Sequence, residues 1–381
     1  MKILHVTSSI TPHGGGVATA VAGITTTLAQ KDVECTVFST VGTRVGNDPY
    51  KLDGVESHVF HTSKLARFWY GHSLKLRSSL QKVIPSYDLI HIHELWNYPG
   101  FAAYQVAKST NKPYVMSIHA ALDPDRLSFK AYKKRPYLKF IQRKILNQAS
   151  TLFALTITEK EHIQNLGISS PISVIPNGIF PEIFNTPNFQ AGVLKQLSQV
   201  KDKYIILYLG RIHPLKGIDL LVEAFGDIAK IREDVCLVIA GDDEVGYRSQ
   251  LELQLSNLGI LDKTIFTGLL NETDKVAMLR IADIFVLPSY SEGFSMSILE
   301  AMASSLPVII TDKCYFSEVG TSGAGIIVET ESDQLRDALM SYFENPEKIK
   351  QMGGKGRQLV LQKYTWDKVV DQIKLIYQNL I

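Results

Sequence analysis

Three short stretches of this 381-residue chain carry residue types suited to holding a phosphorylated group. The first is Thr11-Pro12-His13-Gly14-Gly15-Gly16-Val17. Adjacent glycines let backbone approach a ligand closely, and amides that open a helix favour an anion. The spacing is not GxGxxG, so the dinucleotide fingerprint is absent, and a plain strand-to-helix turn is the simpler role. The second is Gly210-Arg211-Ile212-His213-Pro214-Leu215-Lys216-Gly217. Arg211 as a planar fork and Lys216 as a point charge suit a diphosphate; the alternative is a pair of solvated surface cations. The third is Glu292-Gly293-Phe294-Ser295-Met296-Ser297-Ile298-Leu299-Glu300. Free amides at a helix start meet an anion, and the two carboxylates can accept hydroxyls. The simpler role is a dipole partner at 292 and a surface helix glutamate at 300.

The histidines form a second set. His91 and His93 alternate on one strand and so point the same way. That spacing can begin a metal site, but no cysteine or third ligand stands nearby in sequence, so a metal is not expected. His93-Glu94 at the strand end better suits the lining of an acceptor side, as does His13 beside the glycines. His119 ends the following strand, where a positioning or catalytic role competes with a structural one. His5, mid-strand by pattern, reads as structural.

These residues must be carried by strands and helices, and the sequence predicts both. Short β-branched runs at 3–8, 35–39, 57–61, 89–93, 114–118, 152–155 and 172–175 alternate with helical patterns at 16–30, 72–83, 99–109, 131–148 and 158–166. A second series has strands at 204–208, 236–240, 264–267, 284–287 and 308–310. Its helices are expected at 217–231, 246–258, 272–281, 296–304, 331–344 and 347–362. Pro136 is expected to interrupt the helix at 131–148. Strand–helix alternation predicts an α/β fold with parallel sheets covered on both faces. The aperiodic stretch 177–201 separates two Rossmann-like domains, expected at 1–185 and 200–364. A last amphipathic helix, within 365–381, follows. In such sheets ligands bind beyond the carboxyl ends of strands, where all three motifs fall.

At this point the sequence resembles the retaining, nucleotide-sugar-dependent glycosyltransferases of family 4. The resemblance rests on Glu-x7-Glu at 292 and 300, Gly-Arg…Lys-Gly at 210–217 and the glycines at 14–16. Ile175-Pro176-Asn177-Gly178, Ala240-Gly241-Asp242, Phe266-Thr267-Gly268, Ala282-Asp283 and Tyr364-Thr365-Trp366 extend it over nearly the whole chain. It implies the GT-B architecture, two Rossmann-like domains facing across a cleft, with the last helix crossing back to the first domain. It also implies roles. Arg211 and Lys216 bind the donor diphosphate, Glu300 the ribose hydroxyls and Glu292 a sugar hydroxyl. Gly293, Phe294, Ser295 and Met296 hold sugar and phosphate, Leu269 faces the base, and Gly15 and Gly16 approach the phosphate. His119 lies beside the donor sugar. Ser295 departs from the second glycine many relatives carry. The implied reaction moves a hexose, glucose as first choice, from a UDP-sugar to a glycan or lipid-linked acceptor in polysaccharide or glycoconjugate synthesis. No cofactor or metal is implied. The rival readings are a UDP-sugar 2-epimerase and a non-catalytic nucleotide-sugar binder. A nicotinamide dehydrogenase is disfavoured by the missing fingerprint.

Composition narrows the setting. The net charge is only +2, which argues against nucleic acid as a partner. Residues 1–190 hold 20 Lys+Arg and 12 Asp+Glu, a balance of +8, whereas residues 191–381 hold 20 and 26, a balance of −6. Much of the positive excess lies in Phe129-Lys130-Ala131-Tyr132-Lys133-Lys134-Arg135-Pro136-Tyr137-Leu138-Lys139-Phe140-Ile141-Gln142-Arg143-Lys144. Cations interleaved with aromatics suit an anionic membrane surface or a phosphorylated lipid, and a solvated helix face is the alternative. A second basic and aromatic stretch spans 64–80. Three scattered cysteines, a polar-alternating start and no long apolar run lead to a cytoplasmic expectation, with any membrane contact peripheral.

Overall fold

The computed structural model describes residues 1–11, 14–42, 48–128, 130–185, 192 and 202–381. They divide into two compact units, Met1–Gly178 with Trp366–Ile381, and Ile179–Thr365. Residues 179–185 thus lie with the second unit.

The first unit is built on seven parallel strands: β1 (Lys2–Val6), β2 (Glu34–Val41), β3 (Glu56–His61), β4 (Leu89–His93), β5 (Tyr114–Ser117), β6 (Thr151–Ala154) and β7 (Ile172–Val174). Their order is β3-β2-β1-β4-β5-β6-β7. The chain moves outward from β1 in one direction, then returns to its other side at β4. That reversal opens a crevice beyond the carboxyl ends of β1 and β4. Both faces of the sheet are covered, which is why β4 is buried at every position despite two histidines. Leu4, Val6, Ile90, Ile92 and Met116 join one core with Leu76, Leu80, Ala102 and Ile145. His5, His91 and His93 point to the other face, where Tyr377 of the helix Trp366–Leu380 reaches His91. That helix is seated by Trp366, against which a Cβ at Gly23 would fall 2.1 Å from Cε2. Lys31 pairs with Asp367 at 2.7 Å and Asp371 at 2.6 Å.

The second unit has six parallel strands: β8 (Tyr204–Leu209), β9 (Val235–Ala240), β10 (Thr264–Gly268), β11 (Ile284–Leu287), β12 (Val308–Thr311) and β13 (Gly325–Val328). Their order, β10-β9-β8-β11-β12-β13, reverses between β8 and β11. The Arg211–Lys216 loop follows β8 and the Glu292 loop follows β11, so the topology brings both motifs to the crevice of this sheet.

Two expectations are corrected. β13 escaped the sequence reading because its run of four residues opens at a glycine. A Cβ at Gly325 would meet the Val308 carbonyl oxygen at 2.1 Å, so this edge strand needs glycine to pair. Pro136 does not interrupt its helix. The helix Ala131–Tyr137 continues through a π-turn at Leu138–Gln142 into Arg143–Asn147.

Candidate active site

In the second unit, Lys216 and Glu292 form an ion pair, with only 15% and 10% of their side chains exposed. Gly217 makes this possible. Its φ is +62°, and a Cβ there would lie 1.9 Å from the Pro288 carbonyl oxygen, so the β8 and β11 loops touch backbone to backbone. The Tyr290 amide closes the same contact by donating to the Leu215 carbonyl at 3.0 Å. Glu292 is fixed further by its amide, which donates to the Lys313 carbonyl at 3.1 Å. Arg211 stands apart from this pair, 64% exposed, with its nearest carboxylate, Glu244, at 3.8 Å.

Glu300 lies in the helix Met296–Ala303 and accepts from Lys275 at 2.6 Å. Burial raises the Glu300 carboxyl above its ordinary value, against the pull of Lys275. Burial works against the charge on Lys275, but Glu300 and Glu272 outweigh it and hold the ammonium above its usual range. Sequence gave no sign of Lys275, which sits 25 residues from Glu300 on another helix. Neither glutamate of the motif is therefore a plain surface residue: each carries a mostly buried lysine.

Between them, Ser295 caps the helix with φ −83° and ψ 121°, so a residue with a side chain fits without strain. Its hydroxyl meets that of Ser297 at 2.9 Å and makes no capping bond to the backbone. No acidic residue stands in the first turn, so the opening amides keep their preference for an anion. Gly293 and Phe294 are buried and Met296 half-buried. Leu269 is 74% exposed just past the end of β10.

In the first unit the helix Gly15–Gln30 likewise opens without an acidic residue or a side-chain cap. Added Cβ atoms on Gly15 and Gly16 would meet nothing within 4 Å, so that backbone is accessible to a ligand. His13 lies outside the described residues.

The loops after β4 and β5 hold unusual backbone. Glu94, Trp96, His119 and Ala120 have φ of 68°, 64°, 53° and 58°. Each such residue costs about 1–3 kcal/mol, and such costs concentrate where side chains must be aimed. The Glu94 carboxylate accepts from the Ser8 hydroxyl and from the Ser8 amide at 3.2 Å, which joins the ends of β1 and β4. Burial raises its pKa while these bonds oppose the rise. The His119–Ala120 turn is pinned by Glu159, which accepts from the Ala120 amide and from the Leu155 amide, both at 2.6 Å. Burial pushes the Glu159 carboxyl up to about 7.

The structure supplies the third imidazole that the sequence did not place near His91 and His93. His5 Nδ1 lies 3.1 Å from His93 Nε2. A nitrogen from each of the three lies within 4.8 Å of the others. Both His91 nitrogens are already engaged, one by Ser117 at 2.7 Å and one by the Tyr377 hydroxyl at 2.5 Å. A metal would have to displace a hydroxyl there. His119 continues the row, 5.8 Å from His93 between ring centroids. Burial lowers all four, to about 3 for His5 and about 4 for His119. At these four imidazoles the unfolded chain binds more protons below the ordinary pKa of 6.5, whereas the raised Glu94 and Glu159 carboxyls act with the opposite sign; with four groups against two, the first unit should lose stability as pH falls. Urea midpoints taken from about pH 7 to about pH 5, in the wild type and in Glu159→Gln, check this; a midpoint that does not fall in Glu159→Gln would contradict neutral, buried imidazoles.

Two family models match the chain: Glycosyltransferase Family 4 over residues 14–182 and Glycosyl transferases group 1 over residues 193–359. The chain is 27% identical over 328 residues to alpha-monoglucosyldiacylglycerol synthase of Streptococcus pneumoniae, covering 84% of this chain and 73% of that one. It is 26% identical over 349 residues to the lipopolysaccharide core biosynthesis mannosyltransferase LpsB of Rhizobium meliloti, covering 88% and 96%. Among solved structures, HepE of Anabaena in complex with UDP and glucose superposes with a TM-score of 0.81 at 20% identity, over the whole of both chains.

Proposed function

Because the chain belongs to the family 4 type of glycosyltransferases and has the GT-B fold, we propose that it transfers a hexose, glucose as first choice, from a UDP-sugar with retention. The acceptor is a hydroxyl of a glycan or of a lipid-linked precursor in polysaccharide or glycoconjugate synthesis. The observation that carries this reading is the pair of lysine–glutamate contacts at the β8–β11 reversal, Lys216 with Glu292 and Lys275 with Glu300. The second unit takes the donor and the first the acceptor.

Departure of the diphosphate builds negative charge on its oxygens. Lys216, Arg211 and the amides opening the Met296–Ala303 helix stabilise it in this reading. Lys216 passes from Glu292 to the diphosphate, which frees Glu292 for a sugar hydroxyl. Gly293, Phe294, Ser295 and Met296 hold sugar and phosphate, Leu269 faces the base, and Gly15 and Gly16 lend open backbone to the phosphate. The acceptor oxygen bonds to the anomeric carbon as the bond to the phosphate breaks, and its proton goes to a phosphate oxygen on the same face. No metal and no cofactor is used. His119, neutral at pH 7, positions the sugar by hydrogen bonding without contributing a charge. His93 and Glu94, with His13, line the acceptor side.

Tyr132 and Phe140 of the basic segment are 74% and 73% exposed, which favours contact with an anionic membrane surface over an inward-packed helix face.

A panel of UDP-sugars with and without acceptor, read by product NMR, tests the reading. The expected product keeps the donor's anomeric configuration, and its yield is unchanged by chelator. An inverted product would overturn retention, and a 2-epimer released without acceptor would favour the epimerase. Glu300→Ala is expected to weaken UDP binding about 10- to 100-fold in calorimetry, the loss of a charge-assisted hydrogen bond to ribose. Unchanged affinity would remove Glu300 from the nucleotide site.

A further inference from the structure

The first unit carries a cavity of about 710 Å³ that lies apart from the sugar-nucleotide motifs. Arg77 of the helix Leu74–Val83 lines it, with Phe101 and Lys108 of Tyr98–Ser109. Phe140, Ile141 and Lys144 of the helix continuing past Pro136 complete the wall. Among the described residues no carboxylate lines the cavity. The three stretches 74–83, 98–109 and 131–147 hold ten Lys and Arg and no Asp or Glu. Cations gathered in one concavity repel each other unless an anion joins them.

A free phosphate would leave most of this volume and the aromatic wall unused. Phe140 is 73% exposed at the cavity, and Leu74 and Tyr132 on the same helices are 69% and 74% exposed. Apolar side chains beside a cationic hollow suit an amphiphile. We infer that the cavity binds the headgroup of an anionic glycerophospholipid at a bilayer surface. The phosphate sits among Arg77, Lys108 and Lys144, and the acyl chains leave past Phe140. The inference rests on the membrane contact proposed above and gives it a specific site.

Co-sedimentation of the full chain with phosphatidylcholine vesicles, with and without phosphatidylglycerol, tests it. Wild-type protein is expected to sediment only with the anionic vesicles. Arg77→Gln, Lys108→Gln and Lys144→Gln should each weaken binding about fivefold, and the three together roughly 100-fold. The charge-matched triple Lys348→Gln, Lys350→Gln and Lys363→Gln, on exposed positions of the second unit, should bind as wild type. Equal losses in the two triples would reduce the effect to net charge and overturn the site. Binding to pure phosphatidylcholine would do the same. Inorganic phosphate raising the melting temperature as much as a short-chain phosphatidylglycerol would make the cavity a plain anion site and overturn the lipid assignment. UDP-sugar hydrolysis should stay at the wild-type rate in all these variants. Wild-type protein that sediments with the vesicles yet hydrolyses no UDP-sugar would sink the transferase reading and leave the site standing.

Discussion

Lys216→Ala should lower kcat by about two to three orders of magnitude with a verified donor, the cost of losing one preorganised group at a developing charge. The lysine's setting makes the loss large. Its side chain is only 15% exposed, so water cannot replace it cheaply, and its contact with Glu292 holds it at the carboxyl end of β8. The same burial complicates the result, because Glu292 would be left without its cation. Glu292→Gln combined with Lys216→Ala separates the two effects. If Lys216 only neutralises Glu292, the double variant recovers. If Lys216 meets the diphosphate, the double variant stays slow. A fall shared equally by kcat and kcat/KM would place the contact in the transition state alone. Turnover at the wild-type rate would end the diphosphate assignment.

The second large effect is structural. Trp366→Ala should cost the first unit about 3–5 kcal/mol, the range for truncating a buried aromatic. Trp366 is 2% exposed, and its ring occupies the space where Cβ atoms of Gly23 and Gly178 would stand, at 2.1 Å and 2.8 Å. Its neighbours are backbone at glycines and cannot move in to fill the hole. Gly23→Leu should fail for the converse reason, by pushing the indole out. Urea unfolding followed by a probe in the first unit measures both; unchanged midpoints would mean that Trp366–Leu380 is not anchored by this contact.

The alternation of short apolar runs with helical periods made both sheets legible, because parallel strands buried on two faces must be apolar nearly throughout. Of the second sheet, only β13 was hidden, its signal too short and opened by glycine. The motif loops were legible for the same reason, since they punctuate the strands on either side of each reversal. Their partners were not. Lys275 reaches Glu300 across 25 residues, His5 reaches His93 across 88, and Tyr377 reaches His91 across 286. Such contacts follow from strand order, which local periodicity does not encode. Pro136 shows the opposite limit: the proline lies inside the helix Ala131–Tyr137, and the chain stays helical through a π-turn into Arg143–Asn147.

The return of Trp366–Ile381 to the first unit also sets an order of assembly. A ribosome makes Met1–Gly178 first, yet this unit lacks one of its covering helices until all of Ile179–Thr365 has been made. The second unit is contiguous in the chain and can close while the first still waits. The usual amino-to-carboxyl sequence of domain completion is therefore reversed. Until Tyr377 arrives, the sheet face bearing His5, His91 and His93 is only partly covered, and the nascent chain is open to chaperones and proteases there.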